Sequence, residues 1–565
     1  MKIGLISLGC PKNLVDSEVM LGLAQNAGHE LTRDAADADV LVVNTCAFID
    51  KAKQESVDTI LEMAEHKKDG RCRRLVVTGC LAERYRDELR EQIPEIDALL
   101  GTGEVEQIVG AIGARDPGLG ARDSGRAELK PGAAETRFLP LLRADGQPLN
   151  LERVSGSRAP SPEPRTPSPG SRAPGPEPRI PSPGSRAPSP EPRIPSPGSR
   201  APSPEPRIPS PGSRAPGPEP RIPSPGPRVP SPEPRIPSPG SRPTYLYDAS
   251  TPRLLATPRH YAYVKIAEGC DYKCAFCIIP TLRGAYRSRS IESVVAEART
   301  LAANGTRELL LISQDTSFFG VDRGERGALA RLLRRLNDVE GLRWIRMLYL
   351  YPTTIGDDVL DAMADCEKVC NYIDLPLQHA ADVVLKRMKR PGTRASYERL
   401  LDRIRRRLPE VTLRTTFIVG YPGETEANFA ELQSFVAATG FDHVGVFTYS
   451  HEEGTSGYLL TDDVAAATKR ARRSALMSLQ RRLVTKALRS RVGDHVQLMV
   501  DGPSSEHELV LRGRMASQAP DIDSCVYLTE TDPSAIGTGA LITAEIVGVS
   551  GYDLLARPLE THGPA

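Results

Sequence analysis

The sequence predicts an α/β protein in three folded parts. These are an N-terminal parallel α/β sheet domain, a partial, TIM-like α/β barrel and a C-terminal small antiparallel β-barrel, with a disordered proline-rich insert after the first. Three observations predict it. Strand-like and helix-like patterns alternate through residues 1–112 and again through 256–490, the signature of a parallel sheet covered by helices. Residues 493–560 switch to short β runs set off by Gly and Pro turns. Thirty-one of the chain's 51 prolines crowd into residues 156–239, a stretch that cannot pack as a core. The limits read from these shifts are 1–112, a linker over 113–255, the barrel over 256–490 and the small barrel over 491–560.

In the first part, residues 3–8, 40–43 and 75–78 are short apolar, partly β-branched runs. Helix-like stretches lie near 14–28, 50–66 and 83–92. From 156 to 239 the 14-residue unit Gly-Ser-Arg-Ala-Pro-Ser-Pro-Glu-Pro-Arg-Ile-Pro-Ser-Pro repeats six times with small changes. That period is too short for a solenoid and reads as polyproline II segments hinged at glycine, a flexible spacer. Barrel strands are expected at 260–267, 308–313, 344–349, 372–375, 412–419 and 443–448. Helices are expected between them, near 291–304, 325–338, 355–365, 381–389, 395–407 and 425–438. Six strand–helix units fit a partial or complete α/β barrel. Residues 462–491 read as a long basic helix, with nine Lys/Arg against two Asp. The last part is expected to use strands at 496–500, 526–528 and 541–547.

Composition removes several classes. No run of about 18 apolar residues exists, so no transmembrane helix and no membrane partner are expected. The N-terminus has too short an apolar run and too little positive charge for a secretory signal. The chain therefore reads as cytoplasmic, where ten cysteines point to metal or catalysis before disulfides. The formal net charge is +1, but the insert holds twelve Arg against six Glu, which leaves −5 for the rest. That is not the footprint of a protein that binds nucleic acid by bulk charge.

Two cysteine groups carry chemistry. Cys270, Cys274 and Cys277, in Glu-Gly-Cys-Asp-Tyr-Lys-Cys-Ala-Phe-Cys, follow the first barrel strand, at the end of the barrel where active sites form. Three thiolates within eight residues can hold three corners of a [4Fe–4S] cluster and leave one iron open. A structural zinc site is the alternative; it usually pairs Cys-x₂-Cys with a second pair, and no good fourth ligand is nearby. Cys10, Cys46 and Cys80 match no short metal motif, yet each follows a predicted parallel strand within three residues. Parallel strand ends share one edge, so the three thiols should converge, and they too fit a cluster with one open iron. A single such cysteine would read as a small buried residue.

The 270–277 spacing, with Phe276 before the last cysteine, resembles the radical S-adenosylmethionine (SAM) enzymes. The resemblance implies that the open iron is chelated by SAM and that one electron cleaves SAM to methionine and a 5′-deoxyadenosyl radical. It implies that Phe276 lies beside the adenine, and that Val419-Gly420-Tyr421-Pro422-Gly423-Glu424 is the family's strand-five glycine motif, with Gly420 and Glu424 contacting SAM. A generic strand-to-helix glycine turn looks much the same. A convergent N-terminal triad joined to such a barrel resembles the methylthiotransferases, over nearly the whole chain apart from the insert. That implies two [4Fe–4S] clusters, SAM, a C-terminal TRAM barrel, and an electron donor of the flavodoxin or ferredoxin type. In that family a sulfide on the N-terminal cluster is methylated by one SAM, and a second SAM supplies the radical that activates the accepting carbon.

Family branches modify an adenosine in transfer RNA or an aspartate in small-subunit ribosomal protein S twelve. Ser7-Leu8-Gly9-Cys10-Pro11-Lys12-Asn13, Pro376-Leu377-Gln378-His379 and Tyr449-Ser450-His451-Glu452-Glu453-Gly454-Thr455 resemble the ribosomal-protein branch, the first most discriminatingly. Charge argues the same way. A barrel that grips RNA should be basic, whereas residues 493–560 hold eleven acids against three Lys/Arg. Such a surface repels RNA and speeds encounter with a basic ribosomal protein or the small subunit. The basic stretch 462–491 reads either as an RNA contact or as a solvated helix face. The hydrogen on an aspartate β-carbon has no useful acidity at neutral pH, which fits radical chemistry, and no side chain is assigned as a general base.

The other class of reading is a non-enzymatic iron–sulfur or zinc module tethered by the insert. Cys366 and Cys370 read as buried structural thiols, and Cys72 and Cys525 lack partners. His379 reads equally as a motif residue or a hydrogen-bonded core histidine. Gln314 and Asp315 end the second barrel strand and are candidates for contact with SAM or substrate.

Overall fold

The computed structural model describes residues 1–113, 243–504 and 509–559. The proline-rich repeat lies outside the described residues.

Five parallel strands form the N-terminal sheet, in the order Glu30–Leu31, Lys2–Ser7, Val40–Thr45, Arg74–Gly79, Ala98–Leu100. All six residues of Val40–Thr45 are buried, as a central strand covered on both faces requires. Alternate side chains serve opposite cores. Ile3, Leu5, Val40 and Val42 pack with helix Pro11–Asn26, and Ile6, Leu41 and Val43 pack with helix Asp50–Asp69. The two edge strands were not foreseen, being too short to show a period. The expected helix at 83–92 breaks at Tyr85 into Cys80–Arg84 and Arg86–Gln92.

Residues 243–255, which the sequence assigns to the linker, are packed. Tyr247, Leu254 and Leu255 are buried. Arg253 is clamped between Glu18 of the N-terminal domain (2.6 Å) and Glu297 of helix Ile291–Ala303 (2.5 Å).

The six foreseen barrel strands are present. Tyr261–Lys265, Glu308–Ile312 and Trp344–Met347 form one parallel sheet, and Tyr372–Asp374, Thr412–Val419 and His443–Thr448 another. An Ile345–Val369 bridge joins them. Among the described residues no ladder joins the first strand to the sixth, so the barrel is partial. Helix Ala466–Arg489 follows; Lys469 and Arg472 are buried, while Arg470, Arg481, Arg482 and Lys486 face solvent.

The C-terminal strands His495–Pro503, Leu511–Arg514, Val526–Leu528, Asp553–Pro558 and Leu541–Ser550 close a barrel in that order. The pairs are antiparallel as expected except one, Val526–Leu528 with Asp553–Pro558, which is parallel. A closed ring of five strands cannot alternate direction throughout, so one parallel pair is unavoidable. The loop 515–525 seals the N-terminal ends of the six-stranded partial barrel. Tyr261 and Tyr263 donate to Asp521 (3.2 and 3.1 Å), Tyr372 donates to Asp523 (2.6 Å), and Arg346 donates to the Ala516 carbonyl (2.7 Å). Asp501 pairs with Arg514 (2.7 Å) and His260 (2.8 Å). Three of the small barrel's acids therefore serve internal packing rather than its surface charge. Among the described residues no helix is long and apolar enough to cross a membrane.

Candidate metal centres

Each N-terminal cysteine sits where a strand turns into the following loop or helix. Cys10 caps helix Pro11–Asn26, and Cys80 opens helix Cys80–Arg84. Their preceding glycines, Gly9 and Gly79, have φ of +90° and +93°. A Cβ on Gly9 would meet the Cys46 Sγ at 3.0 Å, and one on Gly79 would meet the Thr45 carbonyl oxygen at 2.6 Å. Glycine is thus what allows the first and third thiols to crowd toward the second. Asn13 ties the turns together, donating to the Leu8 carbonyl (3.0 Å) and the Thr45 carbonyl (2.8 Å) while accepting from Cys80 Sγ (3.8 Å). Burial, with the other two sulfurs next, pushes the Cys46 thiol far up. Burial raises Cys80 to about 11, opposed by Arg283. Cys10 is exposed. Cys10 and Cys80 both lie near enough to Cys46 to act on it electrostatically.

Cys270, Cys274 and Cys277 line one cavity of about 380 Å³ with Asp271, Lys273 and Lys389. Burial, with neighbouring sulfurs, lifts Cys270 to about 11 and Cys277 to about 12. Arg390 donates to Cys274 Sγ (3.7 Å) and to the Pro376 carbonyl (2.5 Å), so the Pro376–His379 motif aims a guanidinium at the cluster loop. Tyr351 stacks between Arg390 (3.8 Å) and Tyr272 (3.8 Å, 2° between planes). Asp315 accepts from Tyr272 (2.9 Å) and Ser317 (2.5 Å); it braces the aromatic wall and is not free for a ligand.

A buried charge network joins the two triads. Arg283 lies six residues after Cys277, at the end of helix Ile279–Arg283. It donates to Cys80 Sγ (3.6 Å), Asn13, Asp16 (2.6 Å) and Glu268 (3.2 Å). Lys265 also pairs with Asp16 and with Glu268 (2.6 Å). Gln314 donates to Glu268, so its amide is held from inside. Farther out, Glu452 is buried between Lys53 and Arg84 (both 2.9 Å) and accepts from Ser450 (2.6 Å). The Tyr449–Thr455 motif is therefore a dock for the N-terminal domain. Asn13, Arg283, Glu268 and Arg390 were not singled out from the sequence. Three of them lie close to the cysteines in sequence, but only side-chain direction reveals their roles.

Phe276 is half-buried against a cluster containing Tyr421 and Tyr449. Gly420 and Glu424, expected to contact SAM, form a tight turn in which one carboxylate oxygen of Glu424, Oε1, is buried without a hydrogen-bond donor. The Glu424 carboxylate accepts from the Gly420 and Tyr421 N–H groups and pairs with Arg472 (3.3 Å). The space a Gly420 Cβ would take is filled by Lys469. A buried carboxylate turned onto its own backbone shapes the turn. His379 is a core histidine: its Nδ1 accepts from the Ala381 N–H (3.0 Å), and burial beside Arg472 lowers its pKa to about 3. Cys72, Cys366 and Cys370 are buried.

Among the described residues no three His, Cys, Asp or Glu side chains close on one point as the ligands of a single metal ion do. Three sulfurs per site, helix N-termini behind Cys10 and Cys80, and cationic Arg283 and Arg390 fit an electron-rich iron–sulfur group.

Comparison with known proteins agrees with this architecture. The chain matches the uncharacterized protein family UPF0004 over residues 2–101, the radical SAM superfamily over 264–436 and the TRAM domain over 492–559. It is 42% identical to the ribosomal protein uS12 methylthiotransferase RimO of Koribacter versatilis, covering 99% of this chain and 96% of that protein. It is 40% identical to the same enzyme of Solibacter usitatus, covering 100% and 96%. Among solved structures, the radical SAM methyltransferase TsrM of Kitasatospora setae is 15% identical with a TM-score of 0.44, covering 79% of this chain and 72% of that one.

Proposed function

The chain belongs to the family of ribosomal protein uS12 methylthiotransferases, and we propose from that premise that it installs a methylthio group on the β-carbon of an aspartate in uS12. The observation that carries this reading is the pairing of two cysteine triads across one buried interface, linked by Arg283 from the cluster loop to Cys80. An enzyme that only cleaves SAM needs the barrel triad; carrying sulfur to carbon needs the second.

Cys10, Cys46 and Cys80 would hold one [4Fe–4S] cluster and Cys270, Cys274 and Cys277 the other. When bound, these groups supply the electron that cleaves SAM and the sulfur that is transferred. The chain's own residues orient and insulate them. Arg283 and Asn13 fix the Cys80 thiolate, and Arg390 with the Tyr351–Tyr272 stack walls the barrel triad. Phe276 would lie beside the adenine, with Glu424 shaping the turn beneath it. The charge network between the triads is buried, which limits the water that reaches their inner side. Because four of the thiols have raised pKa values, loading iron releases protons and weakens as pH falls. The reductant is a flavodoxin or ferredoxin in this reading, and the compartment is the cytoplasm. Asp494, Glu530 and Asp532, acids of the small barrel that face solvent, favour a basic protein substrate over RNA.

The deciding experiment supplies reconstituted protein with SAM, sulfide and a reductant under anaerobic conditions, with ribosomal subunits and transfer RNA in one tube. Mass spectrometry should find the methylthio group on the uS12 aspartate. Methylthio-adenosine in its place would overturn the substrate assignment.

A further inference from the structure

We propose that the Lys12 ammonium binds the carboxylate of the aspartate being modified and is thereby a specificity determinant of this chain. The inference rests on the uS12 reading above and names the residue that recognises the reacting side chain.

Lys12 lies two residues after Cys10, in the first turn of the 16-residue helix Pro11–Asn26. Its side chain leaves the N-terminal domain and ends over the ring of Tyr349, 2.8 Å from the centroid. Tyr349 follows barrel strand Trp344–Met347, so the ammonium stands at the mouth of the barrel beside the N-terminal triad. Lys12 is 7% exposed. Among the described residues its ammonium has no hydrogen-bond acceptor and no ion-pair partner; its contact is the face of that ring. Most of the Lys12 side chain is buried, and a largely desolvated ammonium with no anion beside it is costly to keep.

The surrounding carboxylates are already committed. Asp16 and Glu268 each pair with both Lys265 and Arg283, and Asp374 pairs with Arg414 (2.9 Å). Lys12 is the largely buried cation left without a carboxylate at the mouth; Lys273 and Lys389, which line the cluster-loop cavity, are exposed. Its platform is itself unusual: Tyr349 has φ of +61°, in the left-handed region, with its N–H donating to Asp374 (3.0 Å). Strain of this kind in a non-glycine residue is held where a side chain must point one way. The incoming chemistry matches the vacancy in charge. The reacting β-carbon carries the carboxylate directly, so an ammonium that holds the carboxylate also fixes the carbon. The helix N-terminus behind Lys12 adds to the attraction for an anion.

The test is a double comparison on cluster-loaded protein, held anaerobically. Affinity is measured for uS12 and for uS12 with its target aspartate changed to asparagine, using the wild-type chain, Lys12→Gln and Lys12→Arg. Wild type should prefer the aspartate form by about tenfold or more, the range of a charge-assisted hydrogen bond. Lys12→Gln should reduce that preference to about one, and Lys12→Arg should retain most of it. Because the readout is a ratio within each variant, a general loss of folded protein cancels, and iron content checks that the clusters are loaded. An unchanged ratio in Lys12→Gln overturns the assignment. So does a rise in the dissociation constant for SAM with the ratio preserved, since the ammonium would then serve the SAM carboxylate. Absence of any methylthio group on uS12 with wild-type protein is a different result, and it removes the function reading itself.

Discussion

At the scale of single residues, the site is governed by side chains that bring charge to sulfur. Arg283 is nearly fully buried and reaches four partners on two domains. Its guanidinium fork has enough donors for that geometry, and a lysine in its place would not. Cys80 is the sulfur it touches, so Cys80 tests the N-terminal centre most directly. Cys80→Ser should lower iron and sulfide to about half the wild-type content, since one of two clusters is lost. SAM cleavage should continue and methylthio transfer should stop. Cys274→Ser should abolish both. Transfer surviving in Cys80→Ser would remove the N-terminal triad as a ligand set.

At the scale of elements, the loop 515–525 shows how a domain's charge can mislead. Asp521 is half-buried against the bottom of the barrel, and desolvation there raises its pKa from 3.8 to about 6 despite its tyrosine donors. The neutral carboxyl is the form the fold prefers. Its contribution to stability is full below about pH 4 and is lost as pH rises through 6. Wild-type protein should lose on the order of 4 °C in thermal midpoint across that window relative to Asp521→Asn, beyond what other groups contribute equally to both. Parallel melting curves from pH 4 to 7.5 would show that Asp521 titrates normally. Asp501 has the opposite sign. Burial opposes ionisation, but Arg514 and His260 outweigh it and hold the pKa near 2, so its contribution persists above pH 4.

At the scale of the whole molecule, the triads meet because residues 1–113 dock on residues 243–559. Buried pairs hold that contact: Glu18–Arg253–Glu297, Asp16–Arg283 and Glu452 with Lys53 and Arg84. A docked interface of this kind depends little on the length of the connection between its halves. Deleting residues 156–239 should therefore leave methylthio transfer within about twofold of wild type, measured by mass spectrometry on uS12. Loss of transfer by the deleted but fully cluster-loaded protein would assign the repeat a part in the reaction.

The sequence by itself determined the strands and the metal-binding character. The β-branched and aromatic runs 412–419 and 443–448 fall on the observed strands residue for residue, because such side chains suit a pleated, partly buried strand. Cys10, Cys46 and Cys80 were legible as strand-end residues, because strand direction fixes which edge they share, and Cys270, Cys274 and Cys277 by their spacing. Only the tertiary structure decided what surrounds them. The Glu424 carboxylate accepts from its own backbone, and Asp521, counted from the sequence as domain charge, accepts from two tyrosines at the barrel bottom. Arg283, Asn13 and Lys12 acquire their partners from residues as far as 337 positions away in the chain. Periodicity and spacing report local geometry, and the pairing of buried charges across a domain interface is a long-range choice that no local pattern encodes.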